Sequence, residues 1–377
     1  MIEYREKLQR LISGGTYRTL PHFERDGKYL VVDGERLLNL CSNDYLGLQQ
    51  ISDLIEEYRE APEYSPLMSS ASSRLLTGND PSFDDLEQYL SSAYQVPSAL
   101  VWTSGYDANS GIIPTLVDGE TLFLADRQIH ASMVEGLRLS GCRFSRFDHN
   151  DLSRLRNLLE KNEGEYRHIW VLVESVYSMD GDEAPLEAII ALKRDFPSMC
   201  LYIDEAHSVG VRGGGLGICR EKGLVSEVDV LIGTLGKALG SVGAFSLQSE
   251  SLRELLISQA RPLIYTTALP PIMIGWTLFL LRKVREMEDQ RQHLQEMIRR
   301  LGDRIGRTPE SQIISLVIPG EGRVVEAAED FRRHGLYVRP IRKPTVPAGT
   351  ERLRISLTSA MNADEIDHIA EVMRRWM

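Results

Sequence analysis

Seven short and mostly apolar segments recur along the middle of the chain, and helical segments separate them. These predicted strands cover residues 99–103, 121–125, 143–147, 168–174, 199–204, 229–233 and 244–248. Strands that are apolar along most of their length are typical of a parallel sheet that is covered on both faces. Their alternation with helices, such as one at 152–161 and one from Pro185, predicts a doubly wound α/β domain over residues 45–271.

The segment before this domain has a different pattern. Residues 1–12 are predicted to form a short amphipathic helix, and residues 28–40 a hairpin that turns at Asp33-Gly34. We expect residues 1–44 to pack with the C-terminal part of the chain rather than to form a domain of their own.

The consecutive prolines Pro270 and Pro271 end the alternation of strands and helices. A long helical stretch is predicted over 272–301, and residues 272–377 together are expected to form a linking helix and a small α+β domain. Its other predicted elements are strands at 313–318, 336–338 and 353–357, a helix at 324–334, and a last helix that starts at Asn362, where Glu365 completes a capping box.

Composition and charge exclude several classes of protein. The 377 residues are 42% hydrophobic and 26% charged, as in ordinary globular proteins. A net charge of -11 argues against sequence-independent binding of nucleic acid, which requires a basic surface. The longest apolar run, 272–281, is about half the length needed to cross a bilayer. Four cysteines without a CxxC motif, and a charged N-terminus unlike a signal peptide, predict a cytoplasmic protein.

Lys237 lies just beyond the predicted strand 229–233, within the segment Gly236-Lys237-Ala238. A lysine at this place can form a Schiff base with an aldehyde cofactor, and pyridoxal phosphate is the usual one. The segment is not a nucleotide-binding P-loop, because Leu231 and Ala238 stand where that motif needs glycine and serine or threonine. An isolated Gly-Lys pair is most often a surface turn, so the neighbouring strand ends must decide.

A helix is predicted to start directly after strand 99–103, at the residues Gly105, Tyr106 and Asp107. The backbone N–H groups of a first helical turn point out of the helix and can bind a phosphate. Thr234, from the Lys237 turn, is a candidate to add a hydroxyl. Taken alone, this segment is more often an ordinary connection between a strand and a helix.

Polar side chains of suitable chemistry follow three further strands. Asp204 suits a protonated pyridine nitrogen, His207 can hydrogen-bond a phenolic oxygen, and His130 can stack on a flat ring. Glu174 ends strand 168–174 and Ser178 lies in the turn after it, and both face the same predicted crevice. Open α/β sheets bind their ligands at the carboxyl ends of the strands. Asp and His also bind metals, but no third ligand stands near Asp204 and His207 in the sequence, so no metal site is predicted.

These residues resemble those of the fold-type I pyridoxal-phosphate enzymes and, more narrowly, the α-oxoamine synthases. The resemblance covers nearly the whole chain and implies a large domain with a mostly parallel seven-stranded sheet and a small α+β C-terminal domain. It is carried by the segments 42–47 (SNDYLG), 73–78 (SRLLTG), 104–109 (SGYDAN), 130–132 (HAS), 178–182 (SMDGD), 204–208 (DEAHS), 233–237 (GTLGK), 265–271 (YTTALPP) and 344–354 (PTVPAGTERLR).

The resemblance implies a role for each residue around the cofactor. Lys237 is expected to be the Schiff-base lysine and the base that removes the α-proton. Asp204 is expected to pair with the pyridinium nitrogen and His207 to contact the phenolic oxygen, while His130 stacks on the ring.

Phosphate and substrate contacts follow from the same resemblance. Gly105, Tyr106 and Thr234 are expected to bind the phosphate, together with Thr266 or Thr267 from the other subunit of a homodimer. Four further residues are expected to contact the substrates. Arg354 is the carboxylate clamp, Asn43 and Ser178 are further contacts, and Arg18 faces the acyl chain's carboxylate.

The reaction implied is a decarboxylating Claisen condensation of an amino acid with an acyl thioester, carried by coenzyme A or an acyl carrier protein. Among α-oxoamine synthases, the chain is most similar to those that condense L-alanine with a pimeloyl thioester in biotin synthesis. Three alternatives remain: glycine or serine with another acyl group, an aminotransferase on the same fold, or a binding protein without catalysis. A cluster of basic residues is a candidate contact for coenzyme A phosphates or an acidic carrier protein, although such a cluster is more often a solvated helix end. It consists of Arg332, Arg333, His334, Arg339, Arg342 and Lys343.

Overall fold

The computed structural model describes residues 4–14 and 16–377, which form two compact units. The larger unit is Asp44–His293, and the smaller one joins the described residues up to Asn43 with Leu294–Met377. The division after His293 lies later in the chain than the boundary at residue 271 expected from the sequence. The reason is that the helix Pro271–Glu286 packs against the helix Pro81–Tyr94 of the larger unit.

A seven-stranded sheet forms the centre of the larger unit. Its strands, in spatial order, are Ser98–Trp102, Ala244–Gln248, Val230–Thr234, Met199–Asp204, His168–Glu174, Thr121–Asp126 and Phe144–Phe147. Only Ala244–Gln248 runs antiparallel to its neighbours. The predicted mostly parallel sheet is confirmed, and each strand differs from its expected bounds by no more than one residue at either end.

Helices connect the strands of this unit and bury apolar side chains such as Ile112, Met133 and Leu155. The longer helices are Leu54–Glu60, Pro81–Tyr94, Gly105–Thr115, Ala131–Ser140, Leu152–Asn162, Leu186–Leu192, Glu250–Gln259 and Pro271–Glu286. Short helical turns occur at Leu48–Gln50, Arg74–Gly78, Gly213–Gly215, Ile218–Glu221, Val225–Glu227 and Arg261–Ile264.

The strand register aligns three chemically important strand ends. Glu174 lies opposite Asp204, and Asp204 lies opposite Ile232, two residues before the strand Val230–Thr234 ends. Because these strands are parallel, the segments that follow them leave the sheet at the same edge. The candidate side chains therefore collect at one edge of the sheet.

The predicted helix over 272–301 is wrong in one respect, since the structure has two helices, Pro271–Glu286 and Glu288–Ile305. Met287 has a non-helical ψ of 48° and ends the first helix. The buried guanidinium of Arg291 takes over the freed carbonyls by donating to Val284 O at 2.6 Å and Arg285 O at 3.3 Å. The break depends on this side-chain cap, which the spacing of apolar residues does not reveal.

The smaller unit contains two sheets. One has the order Glu24–Asp26, Tyr29–Val32, Glu35–Asn39 and Leu336–Tyr337, and the other the order Ile313–Val317, Arg352–Ser356 and Pro340–Ile341. Its own helices are Tyr4–Ser13, Glu321–Arg333 and Ala363–Arg374. The predicted hairpin is present, with positive φ at both Asp33 and Gly34, as is the capping box of Asn362 and Glu365.

Residues 1–3 of the expected N-terminal helix lie outside the described residues, and the helix is seen from Tyr4. Within the part of the chain that the structure describes, no helix combines the length and the apolar character required to cross a membrane.

Candidate functional site

The start of the helix Gly105–Thr115 is fixed by its own side chains. Ser104 caps the helix by accepting the backbone N–H of Asp107 at 3.0 Å. The Asp107 carboxylate accepts in return from the hydroxyls of Thr103 at 2.6 Å and Ser104 at 2.9 Å. Since the cap uses the amide of Asp107, that amide is not available to a bound anion, contrary to the expectation for position 107, whereas the amides of Gly105 and Tyr106 are not used by this cap.

Gly105 lies in close contact with Thr234 at the end of the strand Val230–Thr234. A Cβ atom at position 105 would stand 2.7 Å from Thr234 Cγ2, so only glycine fits there without a shift. The Thr234 hydroxyl donates to Ala206 O at 3.2 Å. The structure thus brings a helix N-terminus and a hydroxyl together, as the sequence predicted for a phosphate site.

Asp204 is buried at the end of its strand and accepts two hydrogen bonds. Its Oδ1 accepts from the backbone N–H of Ala206 at 2.9 Å, and its Oδ2 accepts from Asn109 Nδ2 at 2.9 Å. Asn109 also donates to Ser132 Oγ at 2.9 Å and accepts from the Tyr202 hydroxyl at 2.6 Å. Asn109 therefore fixes the Asp204 carboxylate in one orientation.

His130 belongs to the same network. Its Nδ1 lies 2.8 Å from Ser132 Oγ, and its side chain caps the helix Ala131–Ser140. The ring retains solvent-exposed surface, yet desolvation by the protein around it lowers the pKa of His130. The Asp204 carboxylate acts to raise this pKa, and the positive charge of Lys237 acts to lower it. A neutral imidazole is the form suited to stacking on a cationic ring.

Lys237 and His207 are in direct contact. Lys237 Nζ lies 2.9 Å from His207 Nε2, and His207 Nδ1 lies 2.8 Å from the hydroxyl of the fully buried Tyr45. When the ammonium donates to Nε2, the neutral imidazole carries its proton on Nδ1 and donates to Tyr45. Tyr45 therefore fixes the orientation of the His207 ring.

Glu174 is buried beside Asp204 on the neighbouring strand, and its Oε1 has no hydrogen-bond partner among the described residues. Burial and the Asp204 carboxylate raise the pKa of Glu174 well above its usual range. Lys237 and the backbone amides of His130 and Ser178 act in the opposite direction. A buried carboxyl with one oxygen left without a partner among the described residues suits contact with a bound group.

The remaining candidates of the larger unit lie in loops. Ser178 is buried in the turn after Glu174. Thr266 is half-buried and Thr267 exposed, in the segment between the helices Arg261–Ile264 and Pro271–Glu286.

Three candidates lie in the smaller unit. Arg354 donates to Asn43 Oδ1 at 3.2 Å and to Ser356 Oγ at 2.8 Å. Arg18 donates to Thr345 Oγ1 at 3.5 Å. The structure thus joins Arg354 with Asn43 as one polar pair and places Arg18 beside the loop of the PTVPAG segment.

Sequence reasoning missed Asn109, Ser132 and Tyr45 as functional residues. Each lies in a segment that the resemblance quotes, but its role depends on a partner far away in the chain. Asn109 and Asp204 are 95 positions apart, and Tyr45 and His207 are 162 apart. A local signal that could have indicated Asn109 is its place beside the apolar residues Ala108, Ile112 and Ile113 on the buried part of the helix Gly105–Thr115.

The residues present fit pyridoxal phosphate. The close approach at Gly105 and the amides beside it match a phosphate, Asp204 matches a ring nitrogen, and Lys237 provides an amine for the aldehyde. Glu174 adds a buried polar atom that still lacks a partner in the described residues.

Comparison with known proteins agrees with this chemistry. Residues 35–373 match the family "Aminotransferase class I and II". A protein of Neisseria meningitidis serogroup C named "Putative 8-amino-7-oxononanoate synthase" is 43% identical over 376 residues, covering 97% of this chain and 98% of that protein. A protein of the same name from Haemophilus influenzae strain Rd is 43% identical over 379 residues, covering 98% and 99%.

Solved structures show the same architecture. The serine palmitoyltransferase of Sphingomonas wittichii matches with a TM-score of 0.88 at 28% identity, over 98% of this chain and 95% of that one. The 8-amino-7-oxononanoate synthase of Francisella tularensis matches with a TM-score of 0.76 at 26% identity, over 90% and 97%.

The fold is that of the fold-type I pyridoxal-phosphate-dependent transferases. The chain belongs to the aminotransferase class I and II family, and by family and fold it is a pyridoxal-phosphate-dependent enzyme. The relatives confirm the resemblance to α-oxoamine synthases that the motifs indicated.

Proposed function

We propose that this enzyme condenses L-alanine with a pimeloyl thioester, giving 8-amino-7-oxononanoate, CO2 and the free thiol in biotin synthesis. The observation that supports this best is the contact of Lys237 with His207 beside the Asp204 network, at one edge of the sheet. The names of the relatives support the choice of substrates.

Pyridoxal phosphate supplies an electron sink for the carbanion at the α-carbon of the amino acid. We propose that Gly105, Tyr106 and Thr234 bind its phosphate and that His130 stacks on its ring. Asp204 keeps the ring nitrogen protonated, and Asn109 holds that carboxylate in place through the bond at 2.9 Å. Glu174 lines the same site with its buried carboxyl.

Proton transfer is assigned to Lys237. Its amine removes the α-proton of the bound amino acid, and the contact with His207 Nε2 keeps the amine near the phenolic oxygen that His207 binds. The α-carbon then attacks the thioester carbonyl and expels the thiol. Loss of CO2 and return of a proton complete the reaction.

The amino acid is held through its carboxylate. We propose that Arg354 forms two hydrogen bonds with it, as the guanidinium fork allows, with Asn43 and Ser178 as further contacts. Arg18 is proposed to meet the distal carboxylate of the acyl chain, which would favour pimeloyl over an uncharged chain.

The second candidate is the condensation of serine with a long acyl group, supported by the TM-score of 0.88 to serine palmitoyltransferase. Purified enzyme offered alanine, glycine or serine with pimeloyl-, acetyl- or palmitoyl-coenzyme A separates these activities by mass spectrometry of the products. The proposal expects the alanine and pimeloyl pair to give the highest kcat/KM, with one CO2 released per product. Amino transfer to a keto acid without CO2 would instead establish an aminotransferase.

A homodimer with shared sites is part of the proposal. Large apolar side chains are exposed on the larger unit, among them Met68 at 74%, Leu76 at 79% and Tyr265 at 71%. Exposed apolar side chains of this size support burial in an interface. Tyr265 adjoins Thr266 and Thr267, which we propose reach the phosphate of the partner subunit.

Mixed dimers test this arrangement. Lys237→Ala is combined with the double variant Thr266→Ala, Thr267→Ala, after unfolding and refolding the two together. If the threonines act across the interface, both defects fall on one site of the hybrid and the other site is intact, so activity returns. Activity that stays at the level of the two separate variants would show that the threonines act within their own subunit.

The acyl carrier is proposed to meet basic residues of the cluster at 332–343 for which no ion pair is found among the described residues. Arg332 pairs with Asp33 and Glu35, and both Arg333 and His334 lie beside Asp330. These pairs indicate that the basic residues at the end of the helix Glu321–Arg333 have a structural role. We therefore propose Arg342 and Lys343 as the contacts of coenzyme A phosphates or an acidic carrier. Their replacement by glutamate is expected to raise KM for the thioester, and an unchanged KM would remove this role.

The four cysteines, Cys41, Cys142, Cys200 and Cys219, are all free thiols. This supports the proposal of a reducing, cytoplasmic location.

A further inference from the structure

A histidine outside the proposed cofactor contacts lies between two carboxylates. His149 Nδ1 is 3.0 Å from Asp126 Oδ1, and His149 Nε2 is 2.6 Å from Asp182 Oδ2. With a proton on each nitrogen, the imidazolium donates to both carboxylates. Burial disfavours that charge, but the hydrogen bonds with Asp126 and Asp182 raise the pKa of His149 to about 10.

The Asp126 end of this arrangement holds the loop that carries His130. Asp126 is fully buried at the end of a central strand and accepts the backbone N–H of Gln128 at 2.7 Å. The backbone N–H of Ile129 is 3.4 Å from Asp126 O. The path from the sheet to His130 is thus fixed by the same carboxylate that binds His149.

The Asp182 end holds the turn that carries Ser178. Tyr177 N–H donates to Asp182 O at 3.0 Å, and Gly181 N–H donates to Tyr177 O at 2.9 Å, which closes the turn. Asn150, which is not part of this turn, donates from its Nδ2 to Asp182 Oδ2 at 3.0 Å. The ring of His149 also packs edge-to-face on Tyr177 with centroids 4.4 Å apart.

The two loops leave neighbouring parallel strands, Thr121–Asp126 and His168–Glu174, at the same edge of the sheet. His130 is proposed to stack on the cofactor ring, and Glu174 and Ser178 are proposed to line the same site. A link between the two loops therefore sets the width of the proposed cofactor site.

We propose that His149 is a positioning residue that ties the His130 loop to the Ser178 turn through Asp126 and Asp182. This inference rests on the proposed function for the identity of the bound group. The link itself, from Asp126 through His149 to Asp182, is observed in the structure. His149 acts through these loops and touches neither cofactor nor substrate.

His149→Gln tests the proposal, because glutamine keeps a polar side chain but cannot bind both carboxylates as a cation. The dissociation constant of pyridoxal phosphate is measured for the full-length protein by titration of the cofactor-free form. We expect it to rise by about tenfold, since coupled neighbouring residues interact by this order. Amide hydrogen exchange over 127–130 and 175–184 is expected to accelerate in both segments.

A double-mutant cycle with Ser178→Ala separates positioning from general loss of stability. If His149 acts through Ser178, removing the hydroxyl costs little once the tie is gone, so the two effects on cofactor affinity are not additive. Asp182→Asn, which keeps the shape of the side chain, provides a second way to break the tie if His149→Gln does not fold. It is expected to show the same non-additivity.

His168→Gln is the matched control. His168 also contacts an aspartate, with Nδ1 at 2.9 Å from Asp118, but it lies at the opposite end of the strand His168–Glu174. Cofactor affinity and exchange of the two loops are expected to stay within about twofold of the parent.

Strictly additive effects, or a cofactor affinity of His149→Gln within twofold of the parent, would overturn the proposal. Neither readout requires the acyl substrate. If the enzyme uses other substrates, the products of turnover will differ from those proposed. The cofactor titration and the hydrogen exchange will still test the link through His149.

Discussion

Gly105→Ala tests whether the start of the helix Gly105–Thr115 binds the cofactor phosphate. The new Cβ would stand 2.7 Å from Thr234 Cγ2, where ordinary contacts are 3.4–4 Å. Relief of this overlap requires a shift of roughly 1 Å in the helix start or in Thr234, at a cost of about 1–3 kcal/mol for overpacking. The better helix propensity of alanine offsets about 0.5–1 kcal/mol of that cost.

The larger effect is expected on cofactor binding. A hydrogen bond to a charged group contributes about 1.5–3 kcal/mol, and the shift disturbs both an amide and the Thr234 hydroxyl. Loss of one such bond corresponds to a roughly 10- to 100-fold higher dissociation constant for pyridoxal phosphate. Titration of the cofactor-free protein by absorbance or fluorescence measures this, and urea unfolding measures the accompanying change in stability.

Gly322→Ala is the control for this experiment. Gly322 also lies in the first turn of a helix, Glu321–Arg333, and nothing stands within 4 Å of its added Cβ. Its cofactor affinity is expected to be unchanged and its stability equal or slightly higher. A dissociation constant of Gly105→Ala within twofold of the parent would refute the assignment of the phosphate site.

Three further results are expected. Asn109→Ala leaves the buried partners of Asn109 without a hydrogen bond, so cofactor binding should weaken. Urea titrations should show a free energy of unfolding lower by roughly 2–4 kcal/mol. A loss below about 0.5 kcal/mol would contradict the proposed hydrogen-bond network. Because the pKa of His149 is raised from 6.5 to about 10, its ion pairs should contribute full stability below about pH 6.5 and lose it as the pH rises through 10. Parent and His149→Gln should therefore converge in urea midpoint at alkaline pH, and a constant difference would argue against the imidazolium. Tyr45→Phe removes the hydroxyl that fixes His207, and we expect kcat to fall about 10-fold or more with little change in the KM for the amino acid.

The sequence predicted the sheet well for a physical reason. Parallel strands buried on both faces must be apolar along their length, so the pattern is local and readable at strands such as His168–Glu174 and Met199–Asp204. The position of the candidate residues at strand ends follows from the same pattern. Their individual roles came from the resemblance rather than from spacing.

What the sequence did not reveal depends on contacts between distant residues. The break at Met287 follows from the Arg291 side chain, which a continuous helical pattern hides. The role of Asn109 depends on Asp204, 95 positions away in the chain. The role of His149 depends on two carboxylates, those of Asp126 and Asp182, which lie in separate segments. Such partnerships are set by the tertiary structure and leave no periodic signal.

The central claim is that Lys237 carries the cofactor. Reduction of the cofactor-loaded enzyme with borohydride, followed by proteolysis and mass spectrometry, locates the residue to which pyridoxal phosphate is attached. We expect a single modified peptide that contains Lys237, protection when amino-acid substrate is added first, and no modification in Lys237→Ala. Attachment to another lysine, or an unmodified Lys237 in protein that still turns over, would contradict it.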